Sequence, residues 1–166
     1  DTIDIPEPAN PETGREVRTR YATRFDELAQ TYSGTTTGAL AALESARLQE
    51  QLGRHEEAIQ ALAAAIAALP ARAPVHAFLL SEVAGLHEAV GAWGEAAKSY
   101  RAASEIQNYP LRWQALGSAA RCLLEAGETQ QALEIYARMR AEAVDYRLPA
   151  PLEARLQELE QAARAS

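Results

Sequence analysis

The side chains that could carry out chemistry in this chain are few and lie far apart. His55, His76 and His87 are the only imidazoles, and Cys122 is the only thiol. His76 and His87 are 11 residues apart, which along one helix face is about 16 Å and too far for both to bind one ion. Cys122 has no histidine or lysine beside it in the sequence, so we expect a buried, inert thiol. These residues predict neither a metal site nor a catalytic nucleophile.

The carboxylates and glycines also lack a catalytic pattern. The glutamates are spread along the whole chain, as is typical of solvated helix faces. A pair of catalytic carboxylates would need two of them in one cleft, and no local motif predicts that. The nine glycines form no phosphate-binding loop, and no zinc-binding motif occurs. We therefore expect a protein that is not an enzyme and that needs no cofactor.

The composition favours a helical protein and argues against nucleic-acid binding. The 166 residues are 48 % hydrophobic but only 6 % aromatic, and the formal net charge is −7. Binding to nucleic acid would require a basic stripe for the phosphates, which an acidic chain does not offer. Much of the apolar content is alanine, the strongest helix former. Alternating runs of β-branched residues are missing, so the sequence predicts an all-α fold.

The sequence gives only limited information about the compartment. No apolar run approaches the roughly 18 residues of a membrane span, and a single cysteine cannot form an internal disulfide. The chain begins at Asp1 rather than methionine, so we expect that an N-terminal segment has been removed. Attachment to a membrane would come only through that segment.

The helices that must position any binding residues follow a repeated pattern. Gly53, Gly91 and Gly127 are each followed by an alanine five residues later, with helix-forming sequence on both sides. The spacings between these glycines are 38 and 36 residues. A helical hairpin that recurs about every 34 residues is typical of a solenoid. Such folds usually bind other proteins.

Proline and glycine breaks, together with apolar periodicity, divide the chain into segments. The acidic, proline-rich start suits a disordered or extended linker, and everything after it forms one domain, 15–166. In this interpretation the segments are the linker at 1–14, an N-terminal helix at 15–32, hairpins at 36–70, 74–108 and 111–146, and a capping helix at 149–164.

The three hairpins resemble tetratricopeptide (TPR) repeats. That family places small residues where helices touch, because helices packed at about 8–10 Å leave no room for a branched side chain. Eight alanines occupy the matching positions: Ala46, Ala58, Ala65, Ala84, Ala96, Ala103, Ala120 and Ala132. The resemblance implies an all-α, right-handed solenoid of three helical hairpins, with an N-terminal half-repeat helix and a C-terminal capping helix.

A second resemblance is narrower. The segment from Arg24 to Thr35, with the step Tyr32-Ser33-Gly34-Thr35 before an alanine-rich helix, is similar to the opening of the YfgM-like bacterial envelope family, the ancillary subunits of the Sec translocon. The resemblance implies one N-terminal membrane anchor and a repeat domain on the extracytoplasmic, periplasmic face. It also implies translocon components or envelope chaperones as partners.

The first helix of each hairpin is expected to line a concave groove that binds partner segments. The predicted groove residues are Leu40, Leu43, Arg47, Glu50, Phe78, Glu82, Glu88, Gln114, Arg121 and Glu125. They mix apolar surface with a few charges, which suits an amphipathic or extended protein segment. The lysine and asparagine that clamp a C-terminal carboxylate in some repeat proteins do not occur at these positions.

The sequence therefore predicts a non-catalytic protein-interaction scaffold of the bacterial cell envelope, acting in Sec-dependent secretion or a periplasmic chaperone network. One alternative is a soluble cytoplasmic chaperone of the type III secretion kind, which is also acidic and of this size. The other alternative is a module that forms homo-oligomers through its terminal helices while the groove stays empty.

Overall fold

The computed structural model describes residues 11–70, 73–143 and 145–165, and all regular structure in these ranges is α-helical. The chain divides into two compact units, Asp1–Pro70 and Ala71–Ser166. The helices of unit 1 are α1 (Pro11–Thr31), α2 (Thr36–Gln51) and α3 (His55–Ala68). Those of unit 2 are α4 (Pro74–Ala89), α5 (Trp93–Glu105), α6 (Arg112–Glu125), α7 (Thr129–Glu142) and α8 (Ala150–Ala165).

The predicted segments begin and end within four residues of these helices, and one of the largest differences is at the start of α1. It begins at Pro11 rather than near residue 15, so the last four residues of the predicted linker are helical. Proline suits the first helical position because an N–H there would have no intrahelical partner. The carboxylate of Glu12 in the first turn interacts favourably with the positive end of the helix dipole. The rest of the predicted linker, 1–10, lies outside the described residues. The extent predicted for the single domain, 15–166, stays a prediction.

In unit 1 a tight junction turns the chain from α1 into α2. Gly34 has a φ of 76°, which glycine adopts without strain. The Thr35 hydroxyl donates a hydrogen bond of 2.6 Å to the Tyr32 carbonyl and accepts one of 3.1 Å from the Gly38 amide, so it caps α2. The junction therefore falls between the predicted N-terminal helix and the first predicted hairpin.

Helix α2 packs between α1 and α3 through small residues. Ala39, Ala42 and Ala46 are each no more than 2 % exposed, as is Ala22 on α1. The buried hydroxyl of Ser45 donates to the Ala22 carbonyl at 3.3 Å, which ties the two helices together.

The three repeated glycines end the first helix of each hairpin in the same way. Gly53, Gly91 and Gly127 have φ values of 75°, 73° and 81°. Each donates to the carbonyl three residues earlier at 2.8, 2.9 and 3.1 Å, and the following residue donates to the carbonyl five residues earlier at 2.8 Å in all three turns. This is the Schellman C-cap, which favours glycine because only it enters the left-handed region freely.

Unit 2 holds two clusters of buried residues. The larger cluster joins α5, α6, α7 and α8 around Leu116, Tyr136 and Leu156, and Trp93 and Trp113 pack partly buried against it. The smaller cluster joins α4, α5 and α6 around Tyr109. Leu156 is fully buried, so α8 covers apolar surface that would otherwise face water.

Seven of the eight alanines predicted at packing sites are at most 1 % exposed. Ala65 is the eighth and is only partly buried. It lines a depression of about 200 Å³ in unit 1, together with Ala61 and Ala64 of the same helix. The side chains there are too small to fill the space over α3.

Candidate functional site

A groove in unit 2 is the best candidate for a binding site. It consists of two adjoining depressions, which share Gln114 and Ser118 of α6. The larger depression has a volume of about 510 Å³ and the smaller one about 210 Å³. We call this surface the unit-2 groove. The side chains that line it come mainly from the first helices of two hairpins and from the region that follows the third.

The larger depression lies between α6 and the segment that leads into α8. From α6 its lining is Gln114, Gly117, Ser118, Arg121 and Glu125, and from the following segment it is Tyr146, Pro149, Pro151, Leu152 and Arg155. Gly117 is buried because Leu148 lies against it, and a Cβ at this position would lie 2.8 Å from Leu148 Cδ2. Glycine at 117 therefore lets the connection before α8 pack closely over α6.

The smaller depression lies between α4 and α6. Its walls include Phe78 and Glu82 of α4, and Leu111, at 45 % exposure, borders it from the turn before α6. The Ser81 hydroxyl, which donates to the Ala77 carbonyl at 3.2 Å, lies 3.0 Å from the Tyr109 hydroxyl. The polar groups in this part of the wall are thus already hydrogen-bonded within the protein.

An ion pair crosses from α6 to α4 beside the larger depression. Arg121 Nη2 donates to Glu88 Oε2 at 2.6 Å, and the carboxylate side chain is only 18 % exposed. Burial and then hydrogen bonding to Glu88 raise the pKa of Tyr100 above its ordinary value. Although burial acts in the opposite direction, the hydrogen bond and charge of Glu88 raise the pKa of Arg121. The guanidinium of Arg121 is therefore paired with a carboxylate within the protein.

A second ion pair borders the larger depression. Arg155 Nη1 of α8 donates to Glu125 Oε1 of α6 at 2.8 Å, and both side chains are about half exposed. An exposed pair of this kind adds little stability, on the order of 0–1 kcal/mol. Its main consequence is that both arginines lining the depression have a carboxylate partner, so the surface carries no unbalanced positive charge.

Cys122 is buried directly beside this network. Its thiol is fully buried, and burial, followed by the nearby Glu88 carboxylate, raises its pKa from 9.0 to about 12. A thiolate, not a thiol, is the reactive form. Cys122 is thus an inert core residue in this geometry.

The groove residues predicted in unit 2 are brought together on one surface. Gln114, Arg121 and Glu125 line the larger depression, Phe78 and Glu82 line the smaller one, and Glu88 is attached through its ion pair with Arg121.

The four groove residues predicted in unit 1 differ in how far they are exposed. Leu40 is 48 % exposed, and Arg47 is paired with Glu44 at 3.0 Å on the surface of its own helix. Glu50 is exposed, but Leu43 is only 4 % exposed and does not point outward as predicted. It lies four residues after Ala39 and three before Ala46, both buried, so helical periodicity places it on the packed face of α2.

Sequence reasoning missed the side of the groove formed by the connection to α8. Tyr146 lies at the end of the third predicted hairpin, and the rest of this side belongs to the predicted capping helix, but none of these residues was predicted to line the groove: Tyr146, Pro149, Pro151, Leu152 and Arg155. Tyr146 is partly buried, which raises its pKa. The available signal was Leu152 itself, because an apolar residue that directly follows a proline at the start of a helix can face either the core or a pocket.

The described residues contain no cluster of three or more His, Cys, Asp or Glu side chains placed to hold a metal ion. Within the same ranges, no helix is at once long enough and apolar enough to cross a bilayer.

Two solved structures similar to this chain contain nearly identical TPR-like repeats of a protein described as a kinesin light chain, from Podospora anserina, and one of them is a point variant. Both match with a TM-score of 0.60 and 20 % sequence identity over 93 % of this chain, and 92 % and 93 % of the two matched chains are covered. No protein-family model and no curated protein matches this chain. The likeness confirms the predicted fold class, an all-α helical-hairpin solenoid of TPR-like repeats.

Proposed function

We propose that this chain is a non-catalytic protein-interaction module that binds a segment of a partner protein in the unit-2 groove. The observation that carries the proposal is the continuity of the two depressions across Gln114 and Ser118. A surface lined by successive hairpins can bind several side chains of one extended or helical segment. The TPR-like fold supports this kind of function.

The groove favours a segment that binds mainly through apolar side chains. Arg121 and Arg155 of the larger depression are paired with Glu88 and Glu125, so they add no net positive charge to the depression. Tyr146, Leu152 and Phe78 supply apolar or aromatic surface. Gln114 is exposed and Ser118 is partly exposed, so both can hydrogen-bond a peptide backbone. We expect apolar anchors spaced to reach both depressions, and affinity that changes little with salt.

Selection from a random peptide library, followed by fluorescence anisotropy, tests the proposal. Ser118→Phe fills the junction of the two depressions, and Leu152→Glu places a charge in the larger one. Both substitutions should weaken the binding of the selected peptides at least tenfold, a loss of about 1.4 kcal/mol in binding free energy.

The matched control is Gln130→Glu, an exposed position on α7 away from the groove. Circular dichroism checks that all three variants stay folded. The proposal fails if no peptide is enriched, or if the two groove variants bind as tightly as the control.

We further propose that this module works on the extracytoplasmic face of a bacterial envelope, beside the Sec translocon or periplasmic chaperones. The support is the similarity of the Tyr32-to-Thr35 step to the YfgM-like family. The gene sequence upstream of Asp1 tests this directly. An apolar span of about 20 residues is expected there, whereas a start methionine immediately before Asp1 would instead favour the cytoplasmic chaperone.

A further inference from the structure

Helix α1 carries an exposed apolar stripe that nothing in the described part of the chain covers. Tyr21, Leu28 and Tyr32 follow at i, i+7 and i+11, the last of them just beyond the helix end, and they are 41 %, 43 % and 47 % exposed. The spacing places them on one face over about 16 Å. Across the described residues six large hydrophobic side chains are exposed, and half of them lie on this stripe.

The stripe is separate from the face through which α1 packs in its own unit. Ala22 is 1 % exposed and receives the Ser45 hydrogen bond from α2. At 100° per residue, Ala22 lies about a quarter turn from Tyr21. An apolar stripe of this kind, next to an already buried face, is typical of a helix with a second packing partner.

The flank of the stripe that lies away from Ala22 carries charged residues, two arginines followed by a glutamate. Arg20 and Arg24 lie on this flank toward the start of the helix, with their guanidinium carbons 5.6 and 5.9 Å from the centre of the Tyr21 ring. Glu27 follows on the same flank about one turn later. Arg24 and Glu27 are both exposed, and within the ranges described neither forms an ion pair.

We propose that a second copy of this chain covers the stripe, with the two α1 helices packed antiparallel about a two-fold axis near Phe25. In an antiparallel pair the same flank of each helix faces its counterpart in reverse order. Arg24 of each copy then lies opposite Glu27 of the other, and Leu28 lies beside the other copy's Tyr21. The interface is isologous, so each contact occurs twice.

Self-complementarity is the reason to choose a second copy over another partner. A different protein with an acidic rim would pair with Arg20 and Arg24 but would leave Glu27 facing like charge. The reversed α1 helix pairs Arg24 with Glu27 in both directions with one register. Each copy carries a net charge of −7, so the long-range repulsion between copies opposes association. Moderate salt screens this repulsion and should therefore strengthen dimerisation.

Sedimentation velocity across protein concentration tests the arrangement with two charge reversals. The unaltered chain should dimerise. Arg24→Glu alone and Glu27→Arg alone each place like charges in both reciprocal pairs, and we expect dimerisation to weaken at least tenfold in each. Mixing the two variants should restore a heterodimer, because one chain then carries two acidic and the other two basic positions.

Leu28→Glu should abolish both the homodimer and the mixed heterodimer. Glu134→Arg, an exposed reversal on α7, is the matched control and should dimerise like the unaltered chain. If the unaltered chain stays monomeric at every concentration, the stripe is covered by another segment or partner and the proposal is overturned. A dimer insensitive to the α1 variants overturns it too, as does a mixture that fails to associate.

Discussion

Arg121 and Glu88 show how a residue's role depends on a partner that is distant in sequence. The sequence predicts both as groove residues, but their separation of 33 residues gives no indication that they pair. In the structure Arg121 Nη2 lies 2.6 Å from Glu88 Oε2. Burial, and after it the Glu88 carboxylate, raise the pKa of Tyr100 and of the Cys122 thiol. The two charges at this site therefore compensate each other within the protein.

The buried thiol predicts a loss of stability in base. The pKa of Cys122 is about 12 in the folded chain against an ordinary value of 9.0, so above pH 9 the folded state keeps a proton that the unfolded state releases. The stabilisation is fully present below pH 9 and is lost as the pH rises toward 12, with a slope of at most about 1.4 kcal/mol per pH unit. The raised pKa of Tyr100 adds to this above pH 10.

Urea unfolding at pH 8, 9 and 10 measures this effect. Cys122→Ala should lower the free energy of unfolding at pH 8 by about 1 kcal/mol, because one buried atom is lost. Its pH dependence should nevertheless be shallower than that of the unaltered chain between pH 9 and 10. Equal slopes would show that the thiol does not titrate differently in the two states.

Gly38 is expected to be intolerant of any side chain. A Cβ there would lie 2.2 Å from the Tyr32 carbonyl oxygen and 3.1 Å from that of Ala29, and backbone atoms cannot move aside cheaply. Gly38→Ala should lower the free energy of unfolding by about 2–3 kcal/mol. Thermal melts followed by circular dichroism measure it.

Gly85→Ala is the matched control. Gly85 is also helical, but the nearest atom to an added Cβ is the Tyr100 hydroxyl at 3.9 Å, an ordinary contact. This change should raise stability by about 0.5–1 kcal/mol through the smaller entropy of the unfolded chain. If Gly38→Ala and Gly85→Ala both lowered the free energy of unfolding, Gly38 would be needed for a reason other than its close approach to the Tyr32 carbonyl.

At the scale of the helical elements, the hairpin turns are the part of the fold that the sequence specifies most directly. Each turn needs one residue in the left-handed region, and glycine meets that need at the same place in all three hairpins. Nothing lies within 4 Å of a Cβ added at Gly53, Gly91 or Gly127. The requirement is therefore conformational and local, which is why a sequence pattern alone could predict it.

The second hairpin turn allows a matched comparison within four residues. Gly91→Ala should cost about 1–2 kcal/mol, because alanine is disfavoured at a φ of 73°. Gly94→Ala lies in the first turn of α5 with open space around it, and should leave stability unchanged or raise it by up to about 1 kcal/mol. Chemical denaturation of both variants decides. A Gly91 variant as stable as the Gly94 variant would contradict the C-cap interpretation.

At the scale of the whole molecule, the two compact units are the main feature that the repeat pattern does not predict. The pattern treats the chain as one series of hairpins. The structure divides it between the first and second hairpins, at Pro70 and Ala71. Both buried clusters described in unit 2 are built only from its own residues.

We therefore predict that unit 2 folds alone. A fragment from Ala71 to Ser166 should keep the helix content expected for α4–α8, and Cys122 should stay protected from thiol reagents at pH 8 because its thiol is buried in that unit. Circular dichroism and the rate of labelling measure both properties. Rapid labelling together with low helix content would show that unit 2 depends on unit 1.

The sequence by itself determined the features that rest on local chemistry. Glycine at each turn, alanine at helix contacts and apolar periodicity along each helix are short-range requirements, so the helices and the TPR-like class could be predicted. Only the tertiary structure decided which side chains meet: Leu43 is packed in the core, Ala65 is partly open, and Arg121 and Arg155 each have a carboxylate partner. The far side of the groove also came from structure alone, because the connection that carries Tyr146 lies against α6, where Leu148 contacts Gly117. Such contacts join residues about 30 positions apart, and no local pattern encodes them.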